Sequence, residues 1–311
     1  MKLELLLVAP LHPATQAELE ANYAVHRLWT AADRDALLAK IASRVEICVT
    51  TGGAGASRAL IEQLPNLKLI ACFGVGVDAI DLGAARERSI AVTNTPDVLT
   101  DDVADLALAL ILDAMRGVSA GDRYVRAGRW RQGAFPLQAR MSGKRLGIVG
   151  MGRIGQAIAR RAAAFDMRIA WHGPRRKDLP YRFEPDLVAL ARSVDVLVAA
   201  CPGGAATRGL IGRAVLEALG PHGFFVNIAR GAVVDESALV ELLASGRLGG
   251  AGLDVFLDEP HVPPALLAID NVVLQPHVAS ATHETRAAMG RVVLENVGAF
   301  VAGRPLLTPV P

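Results

Sequence analysis

The sequence predicts an α/β protein with two parallel sheets. Short runs of Val, Ile and Leu alternate with longer amphipathic segments along the chain, an order typical of repeated strand–helix–strand units. The length of 311 residues exceeds what one ordinary hydrophobic core organises, so we expect two domains. Apolar residues make up 52% of the chain and charged residues 21%, which indicates a well-buried globular protein rather than a disordered one.

The first third of the chain contains one series of strands and helices. Helices are predicted at 33–43 and 57–63, where apolar residues recur with helical spacing. The predicted strands form one parallel unit and lie at 3–9, 24–29, 45–50, 67–71 and 90–93.

A long apolar helix is predicted at 101–115. It opens with Asp101 and Asp102, whose negative charges suit the positive end of a helix dipole. Two interpretations remain open for it, a buried helix of one domain and a spine that crosses from one domain to the other.

Residues 119–142 interrupt the alternation with arginines and aromatic side chains. Such a mixture is found in nucleic-acid binding segments, in solvated arms and in subunit contacts. The net charge of the whole chain is only +2, which favours an arm or a subunit contact over nucleic-acid binding. The side chains concerned are Arg123, Arg126, Arg129, Arg131 and Arg140, with Trp130 and Phe135 between them.

A second series of strands and helices follows. Strands of this number and order make a doubly wound sheet that binds a dinucleotide. A helix at about 284–301 then closes the chain, and the prolines of GRPLLTPVP prevent its continuation. The predicted strands lie at 145–149, 168–172, 194–199, 224–228, 250–255 and 272–275.

Composition also bears on the compartment and the partners. Cys48, Cys72 and Cys201 all lie in or beside apolar runs and show no paired spacing, which indicates a reducing compartment. The apolar stretch in MKLELLLVAP is too short for a signal peptide or a membrane span. We therefore expect a cytoplasmic protein that binds neither membranes nor nucleic acid, and we predict no metal site.

A glycine motif indicates the cofactor. In RLGIVGMGRIGQAIA, Gly150, Gly152 and Gly155 lie directly between a predicted strand and a predicted helix. Missing side chains at these positions permit the tight turn, the approach of a pyrophosphate to the backbone, and close packing of helix on strand. The pattern by itself is weak in a chain with 30 glycines, but its position in a strand–helix–strand unit makes it specific.

The residues after the second strand of this unit bear on the choice of cofactor. NAD-binding versions carry an acidic residue there for the ribose 2′-hydroxyl, whereas this chain has Gly173. The neighbouring His172, Arg175, Arg176 and Lys177 offer cations, and a guanidinium binds a 2′-phosphate that a carboxylate would repel. We therefore predict NADPH as the preferred cofactor and NADH as the alternative. A basic surface turn without a ligand is the competing interpretation.

Three charged or titratable residues follow late strands, at the sheet edge where ligands bind in α/β proteins. They are Arg230 in NIARGAVVDE, Glu259 in GLDVFLDEP and His277 in QPHVAS. Each alone has an ordinary explanation as a loop or surface residue. Together they suit reduction of a 2-oxo acid, because such a substrate needs a bidentate cation for its carboxylate and a proton donor for the alkoxide. Glu259 would orient the histidine and favour its protonated form.

The chain resembles the D-isomer-specific 2-hydroxyacid dehydrogenase family over essentially its whole length, and within it the NADPH-dependent glyoxylate/hydroxypyruvate reductases. The segments that carry the resemblance are FGVGVDAID (73–81), NTPDVLTDDVADLAL (94–108), GIVGMGRIG (147–155), NIARGAVVDE (227–236), GLDVFLDEP (252–260) and PHVASAT (276–282).

The resemblance assigns roles to individual residues. It implies that Arg230, Glu259 and His277 are the substrate arginine, the acid that supports the histidine, and the proton donor. It implies that the backbone N–H groups of Val75 and Gly76 bind the substrate carboxylate. The expected cofactor residues are Thr100, Gly150, Gly152, Arg153, Ile154, Gly155, His172, Gly173, Arg175, Arg176, Cys201, Pro202, Thr207, Ile228, Ala229 and Asp254. Cys201 stands where the family usually has a polar residue.

The resemblance also implies the domain plan. Two Rossmann-like domains with doubly wound parallel sheets are expected, with the active site in the interdomain cleft. Residues 1–97 with 284–311 would form a flavodoxin-like substrate domain, and residues 98–283 the dinucleotide-binding Rossmann domain. Residues 119–142 would be the dimerisation arm of a homodimer, from which Trp130 or Phe135 reaches the active site of the partner.

Other functions remain open at this point. A related fold occurs in dinucleotide-sensing corepressors, which need no complete proton-donor pair, and the presence of Arg230, Glu259 and His277 favours an enzyme. Among enzymes, an NAD-linked 2-hydroxyacid dehydrogenase such as phosphoglycerate dehydrogenase is the main alternative. Formate and phosphite dehydrogenases are a further one. The motifs leave the side chain of the 2-oxo acid undetermined.

Overall fold

The computed structural model of the protein describes residues 2–311 and shows two compact α/β units. Unit 1 comprises the chain up to Leu99 together with Ser280–Pro311, and unit 2 comprises Thr100–Ala279. Both units are built on parallel sheets, as the sequence predicts. The α/β class with two parallel-sheet domains is confirmed.

Unit 1 contains a five-stranded parallel sheet with the order β2-β1-β3-β4-β5. Its elements in chain order are β1 (Glu4–Leu7), α1 (Pro13–Asn22), β2 (Ala24–Arg27), α2 (Arg34–Ile41), β3 (Val45–Thr51), α3 (Arg58–Glu62), β4 (Leu69–Phe73), α4 (Leu82–Glu87) and β5 (Ala91–Thr93). The last helix of the chain, at His283–Val301, also belongs to this unit.

The helices of unit 1 begin where the sequence supplies a capping side chain. The side chain of Asp33 accepts the N–H of Ala36 at the start of α2. In the same way, Ser57 accepts the N–H of Leu60 at α3, and Asp81 accepts the N–H group three residues further along at α4. These caps satisfy backbone donors that a helix leaves unpaired at its first turn. The predicted helices at 33–43 and 57–63 therefore start within one residue of the observed ones.

Unit 2 contains a seven-stranded parallel sheet with the order β12-β11-β10-β9-β6-β7-β8. Its elements are α5 (Thr100–Arg116), α6 (Val118–Arg126), β6 (Arg145–Val149), α7 (Arg153–Ala163), β7 (Arg168–His172), β8 (Arg182–Phe183), α8 (Leu187–Ser193), β9 (Val196–Ala199), α9 (Arg213–Leu219), β10 (Phe224–Asn227), α10 (Glu236–Ala244), β11 (Gly250–Leu253), α11 (Pro264–Leu267) and β12 (Val272–Leu274). The chain closes with α12 (His283–Val301) in unit 1.

The sheet of unit 2 has one strand more than the sequence predicts. The sequence indicates six strands, and the structure adds the edge strand β8, which pairs with β7 through Ala170 and Trp171. Only two residues form β8, and one of them is the exposed Arg182. A strand this short shows no alternation that sequence patterns detect.

The strand order of unit 2 reverses beside β6. From β6 the chain proceeds to β7 and β8 on one side, and β9 to β12 lie on the other. In open α/β sheets ligands bind at the carboxyl ends of the strands at such a reversal. The turn after β6 and the turn after β9 both lie at this edge.

The long apolar helix α5 is packed within unit 2. Its buried face includes Ala104, Ala107 and Ile111, and it contacts α7, β10 and β11. A Cβ at Gly252 of β11 would lie 2.9 Å from the Cβ of Leu110. The glycine therefore permits the close approach of helix and sheet.

The segment 118–142 is exposed. None of the residues in α6 is buried, and the side chains of Trp130 and Leu137 are 68% and 102% exposed. Tyr124 makes an edge contact with Phe135 at 5.3 Å between ring centroids, and the Arg129 guanidinium lies over the Tyr124 ring. The segment thus has local order and an apolar surface.

Among residues 2–311, no helix combines the length and the apolar character that crossing a bilayer requires.

Candidate active site in unit 2

The glycine turn follows β6 and is closely packed. Gly150 has φ +99°, and a Cβ on it would lie 2.6 Å from Cα of Cys201. A Cβ on Gly155 would lie 2.1 Å from the carbonyl oxygen of Gly150. Both positions therefore exclude a side chain for reasons of backbone packing.

Gly152 differs from the other two glycines. An added Cβ would find no atom within 4 Å, so the space in front of it is open. Gly152 is also the N-cap of α7, and no side chain caps that helix. The first turn of α7 thus offers backbone N–H groups beside an open surface, an arrangement that suits a pyrophosphate.

The predicted cations lie after β7, the strand next to β6. His172 ends β7 and accepts the N–H of Gly150 through its carbonyl, while Gly173 begins the following turn. Arg175 and Arg176 are exposed there, and within residues 2–311 neither side chain forms a hydrogen bond or an ion pair. These guanidinium groups are available to an anion.

Lys177, which the sequence groups with Arg175 and Arg176 as a cation, contacts the glycine turn instead of remaining free. Its Nζ donates to the carbonyl of Met151 in the glycine turn at 2.8 Å. The run RRK shows three adjacent cations, but it does not predict which of them bonds the glycine turn.

The turn after β9 lines the same edge. Cys201 is buried, and burial raises the pKa of its thiol to about 11, so it stays a neutral, apolar group. Thr207 donates its hydroxyl to the carbonyl of Pro202 at 2.7 Å, which closes this turn.

The loop after β10 presents Arg230. Ile228 and Ala229 are buried, and the side chain of Asn227 bonds both the N–H of Ala229 and the carbonyl of Arg230, each at 3.0 Å. Asn227 is fully buried, so these bonds fix the loop rigidly. It is a positioning residue that the sequence reasoning did not select, although a polar residue in an apolar strand was a visible signal.

Glu259 and His277 follow β11 and β12 and form a direct pair. The Nδ1 of His277 lies 2.7 Å from Oε2 of Glu259, and Oε1 of Glu259 accepts the N–H of Phe256 at 3.0 Å. Because β10, β11 and β12 are neighbours in the sheet, the loops that carry Arg230, Glu259 and His277 are adjacent. The structure therefore brings the three predicted residues to one edge of unit 2.

The environment of Glu259 keeps its carboxylate ionised. Burial raises its pKa, but the hydrogen bonds from His277 and Phe256 and the charges of His277 and Arg230 lower it more, so the pKa lies below the ordinary glutamate value. An ionised Glu259 fixes Nδ1 of His277 as the proton-bearing nitrogen of that bond. The other ring nitrogen, Nε2, is left for a substrate.

Asp254 holds the backbone that directly follows His277. Its carboxylate is 1% exposed and accepts the N–H groups of Val278 and Ala279 at 2.7 and 3.0 Å. His277 itself has φ +54°, a conformation that an L-residue adopts only when its surroundings hold it. Burial raises the pKa of Asp254 despite the two backbone bonds.

The remaining predicted residues lie elsewhere. Thr100 is the first residue of α5, and Arg153 and Ile154 begin α7. Val75 and Gly76 belong to unit 1, in the turn that follows β4.

Comparison with known protein families gives a match over more than half of the chain. Residues 108–279 match the model described as D-isomer specific 2-hydroxyacid dehydrogenase, NAD binding domain. That range includes the glycine turn, Arg230, Glu259 and His277.

Individual relatives align over nearly the whole chain. A glyoxylate/hydroxypyruvate reductase A of Arabidopsis thaliana is 48% identical over 306 residues, which cover 98% of each chain. The hydroxyphenylpyruvate reductase of Plectranthus scutellarioides is 47% identical, again over 98% of each chain. Among solved structures, an NADPH-dependent glyoxylate/hydroxypyruvate reductase of Sinorhizobium meliloti, in complex with NADP and malonate, superposes with a TM-score of 0.93 at 42% identity, over 100% of this chain and 97% of the other.

Proposed function

The chain belongs to the D-isomer specific 2-hydroxyacid dehydrogenase family, and we propose that it reduces a small 2-oxo acid to the D-2-hydroxy acid with NADPH. Membership makes the protein an NAD(P)-dependent oxidoreductase. The observation that carries the proposal is the 2.7 Å pair of His277 and Glu259, whose loops follow β12 and β11, beside the loop after β10 that carries Arg230.

Arg230 is proposed to bind the substrate carboxylate. A guanidinium binds a carboxylate through two parallel hydrogen bonds and polarises an adjacent keto oxygen. The relatives named for glyoxylate, hydroxypyruvate and hydroxyphenylpyruvate act on compounds that share this 2-oxo acid head group. In unit 1, the N–H groups of Val75 and Gly76 are proposed to bind the carboxylate as well.

His277 is proposed to donate the proton. The dinucleotide, when bound, supplies the hydride to C2, and the keto oxygen then carries the negative charge. Nε2 of an imidazolium at His277 protonates that oxygen, while Glu259 holds the ring through Nδ1. One hydride and one proton thus convert the keto group to the hydroxyl.

NADPH is proposed as the preferred cofactor because unit 2 offers cations and no carboxylate at Gly173. The free guanidinium groups of Arg175 and Arg176 support this choice, and so does the NADP-bound relative. Gly150, Gly152 and Gly155 fit the pyrophosphate, since they form a turn with an open face at the start of α7. The proposed cofactor residues also include Thr100, Arg153, Ile154, His172, Cys201, Pro202, Thr207, Ile228, Ala229 and Asp254.

A panel of substrates tests the function. Glyoxylate, hydroxypyruvate, hydroxyphenylpyruvate and a 2-keto sugar acid are assayed with NADPH and with NADH, and the stereochemistry of the product is determined. We expect turnover with at least one of them, a lower KM for NADPH, and a D-product. Absence of turnover with every acid would reject the proposal, and an equal or lower KM for NADH would reject the cofactor preference in favour of an NAD-linked dehydrogenase.

A homodimer is proposed from the exposed segment 118–142. Trp130, Leu137 and Val125 expose large apolar areas that a second copy of the chain would cover. Sedimentation at micromolar concentration tests this, and a fully active monomer would contradict it.

A further inference from the structure

In the turn that follows β4 in unit 1, the carbonyl groups of Gly74 and Val75 are both held from one side. The carbonyl of Gly74 accepts the backbone N–H of Thr95 at 2.9 Å, and the carbonyl of Val75 accepts Nδ2 of Asn94 at 2.9 Å. In a trans peptide the C=O and the N–H of one plane point in opposite directions. The N–H groups of Val75 and Gly76 therefore both point away from Asn94 and Thr95.

These two N–H groups are available to a ligand. Within residues 2–311 neither of them donates a hydrogen bond to another group of the chain. Two successive N–H groups that face the same way form a site for an anion such as a carboxylate. The direction of the Gly76 N–H depends on the bond from the Asn94 side chain to the Val75 carbonyl. The direction of the Val75 N–H depends on the bond from the Thr95 N–H to the Gly74 carbonyl.

Asn94 is in turn fixed by the segment that follows α12. The hydroxyl of Thr308 donates to the carbonyl of Asn94 at 2.6 Å, and the N–H of Asn94 donates to the carbonyl of Thr308 at 3.3 Å. Val310 also donates its N–H to the carbonyl of Val92 at 2.8 Å. The segment therefore lies along β5 and holds the residue that leaves this strand.

Asn296 of α12 holds Thr308 from the interior. Its side chain is fully buried; Nδ2 donates to the Thr308 hydroxyl at 2.9 Å, and Oδ1 accepts the N–H groups of Leu307 and Thr308 at 3.0 and 3.2 Å. The second hydrogen of Nδ2 bonds the carbonyl of Val292 at 2.8 Å. Every hydrogen-bonding position of this buried amide is used, which makes it a rigid anchor.

We propose that Asn296 and Thr308 are positioning residues for substrate binding, because they fix Asn94 and the adjoining Thr95, which direct the N–H groups of Gly76 and Val75 at the carboxylate of the 2-oxo acid. This inference rests on the proposed function for its ligand. A chain of hydrogen bonds connects α12 to the turn, and each link is made by a named side chain.

The competing explanation is that the chain of bonds only fastens the last residues to unit 1. That role would affect stability, but it would not change substrate affinity selectively. Thr308→Val separates the two, because it removes the hydroxyl while the backbone bonds of Thr308 remain. Thr308→Ser keeps the hydroxyl and serves as the conservative variant.

Thr30→Val is the matched control. The hydroxyl of Thr30 also donates to a backbone carbonyl of unit 1, that of Arg27 at 3.0 Å, but it follows β2 at the opposite edge of the sheet. Steady-state kinetics are measured with the best 2-oxo acid of the panel for the full-length enzyme and each variant. Hydrogen–deuterium exchange is measured on peptides that cover 92–96, because the N–H groups of Asn94 and Thr95 donate to Thr308 and to Gly74 of the turn.

In Thr308→Val we expect KM for the 2-oxo acid to rise about three- to tenfold, the range that the loss of one hydrogen bond supports, while kcat and KM for NADPH change less than about twofold. Exchange at 92–96 should become faster. Thr308→Ser and Thr30→Val should match the wild type in both measurements.

Two results overturn the inference. One is an unchanged substrate KM in Thr308→Val, and the other is unchanged exchange at 92–96. A wild type that reduces no 2-oxo acid would reject the proposed function instead, and the exchange measurement, which needs no turnover, would still decide whether Thr308 fixes the turn.

Discussion

The Nδ1 of His277 lies 2.7 Å from Oε2 of Glu259, and the backbone N–H of Phe256 holds the other oxygen of that carboxylate at 3.0 Å. The histidine ring therefore has one orientation, with Nε2 turned to the side opposite the carboxylate. This geometry suits a proton donor whose position is set before the substrate arrives.

Replacement of His277 tests the proton donor. His277→Ala should lower kcat by about 10²- to 10⁴-fold, the usual contribution of a positioned general acid. Because reduction consumes a proton, the rate of the wild type should fall as the pH rises. On the acid side activity should persist, because the lowered pKa of Glu259 keeps its carboxylate ionised below the ordinary glutamate range. A pH–rate profile without an alkaline decline would contradict the assignment.

Replacement of Arg230 tests carboxylate binding. Arg230→Ala should lower kcat/KM for the 2-oxo acid by about 10- to 1000-fold, because a charge-assisted bidentate contact is lost. Arg230→Lys should recover only part of the lost kcat/KM, since an ammonium group does not form the planar double contact. The affinity for NADPH, measured by fluorescence titration, serves as the control and should stay unchanged. Wild-type kinetics in Arg230→Ala would exclude the proposed role.

The glycine turn permits a pair of matched substitutions. Gly155→Ala should destabilise the fold by about 1–3 kcal/mol, because its Cβ would overlap the carbonyl of Gly150. The Cβ of Gly152→Ala would have no atom of residues 2–311 within 4 Å beyond its own chain neighbours, so the melting temperature should remain near that of the wild type while KM for the cofactor rises. Thermal unfolding and cofactor titration distinguish the two effects. Equal cofactor affinity in Gly152→Ala would show that no pyrophosphate approaches this residue.

The cations after β7 should divide into two kinds. Arg175 and Arg176 have no partner within residues 2–311, so the double Ala variant should raise KM for NADPH about tenfold or more and leave KM for NADH unchanged. Lys177 braces the glycine turn through Met151, so Lys177→Ala should weaken the binding of both cofactors. Kinetics with each cofactor measure this difference. If all three substitutions changed KM for NADPH and KM for NADH to the same extent, the division into two kinds of cation would be rejected.

Asp254 should matter for stability as well as for turnover. Asp254→Ala leaves the N–H groups of Val278 and Ala279 without acceptors, which should cost about 2–4 kcal/mol of unfolding free energy and loosen the turn that carries His277. Urea denaturation and kcat are measured together. A stable variant with normal kcat would contradict the supporting role.

Much of the candidate site could be predicted from local sequence. The glycine turn, Arg230, Glu259 and His277 each lie within a short motif next to a strand, and the strand periodicity locates those motifs at one sheet edge. Other contacts could not be predicted in this way. Asn227 acts on its own loop, but Lys177 bonds a residue 26 positions away, and Thr308 bonds one 214 positions away.

The sequence by itself determined the α/β class, the two parallel sheets, the family and the candidate catalytic side chains, because these depend on periodicity and on motifs a few residues long. Only the tertiary structure decided that Glu259 bonds Nδ1 of His277 and that Asp254 holds the backbone directly after His277. It also decided that Asn296 and Thr308 fix Asn94. Hydrogen bonds between distant residues depend on how strands and helices pack, and the packing brings together side chains that no local pattern connects.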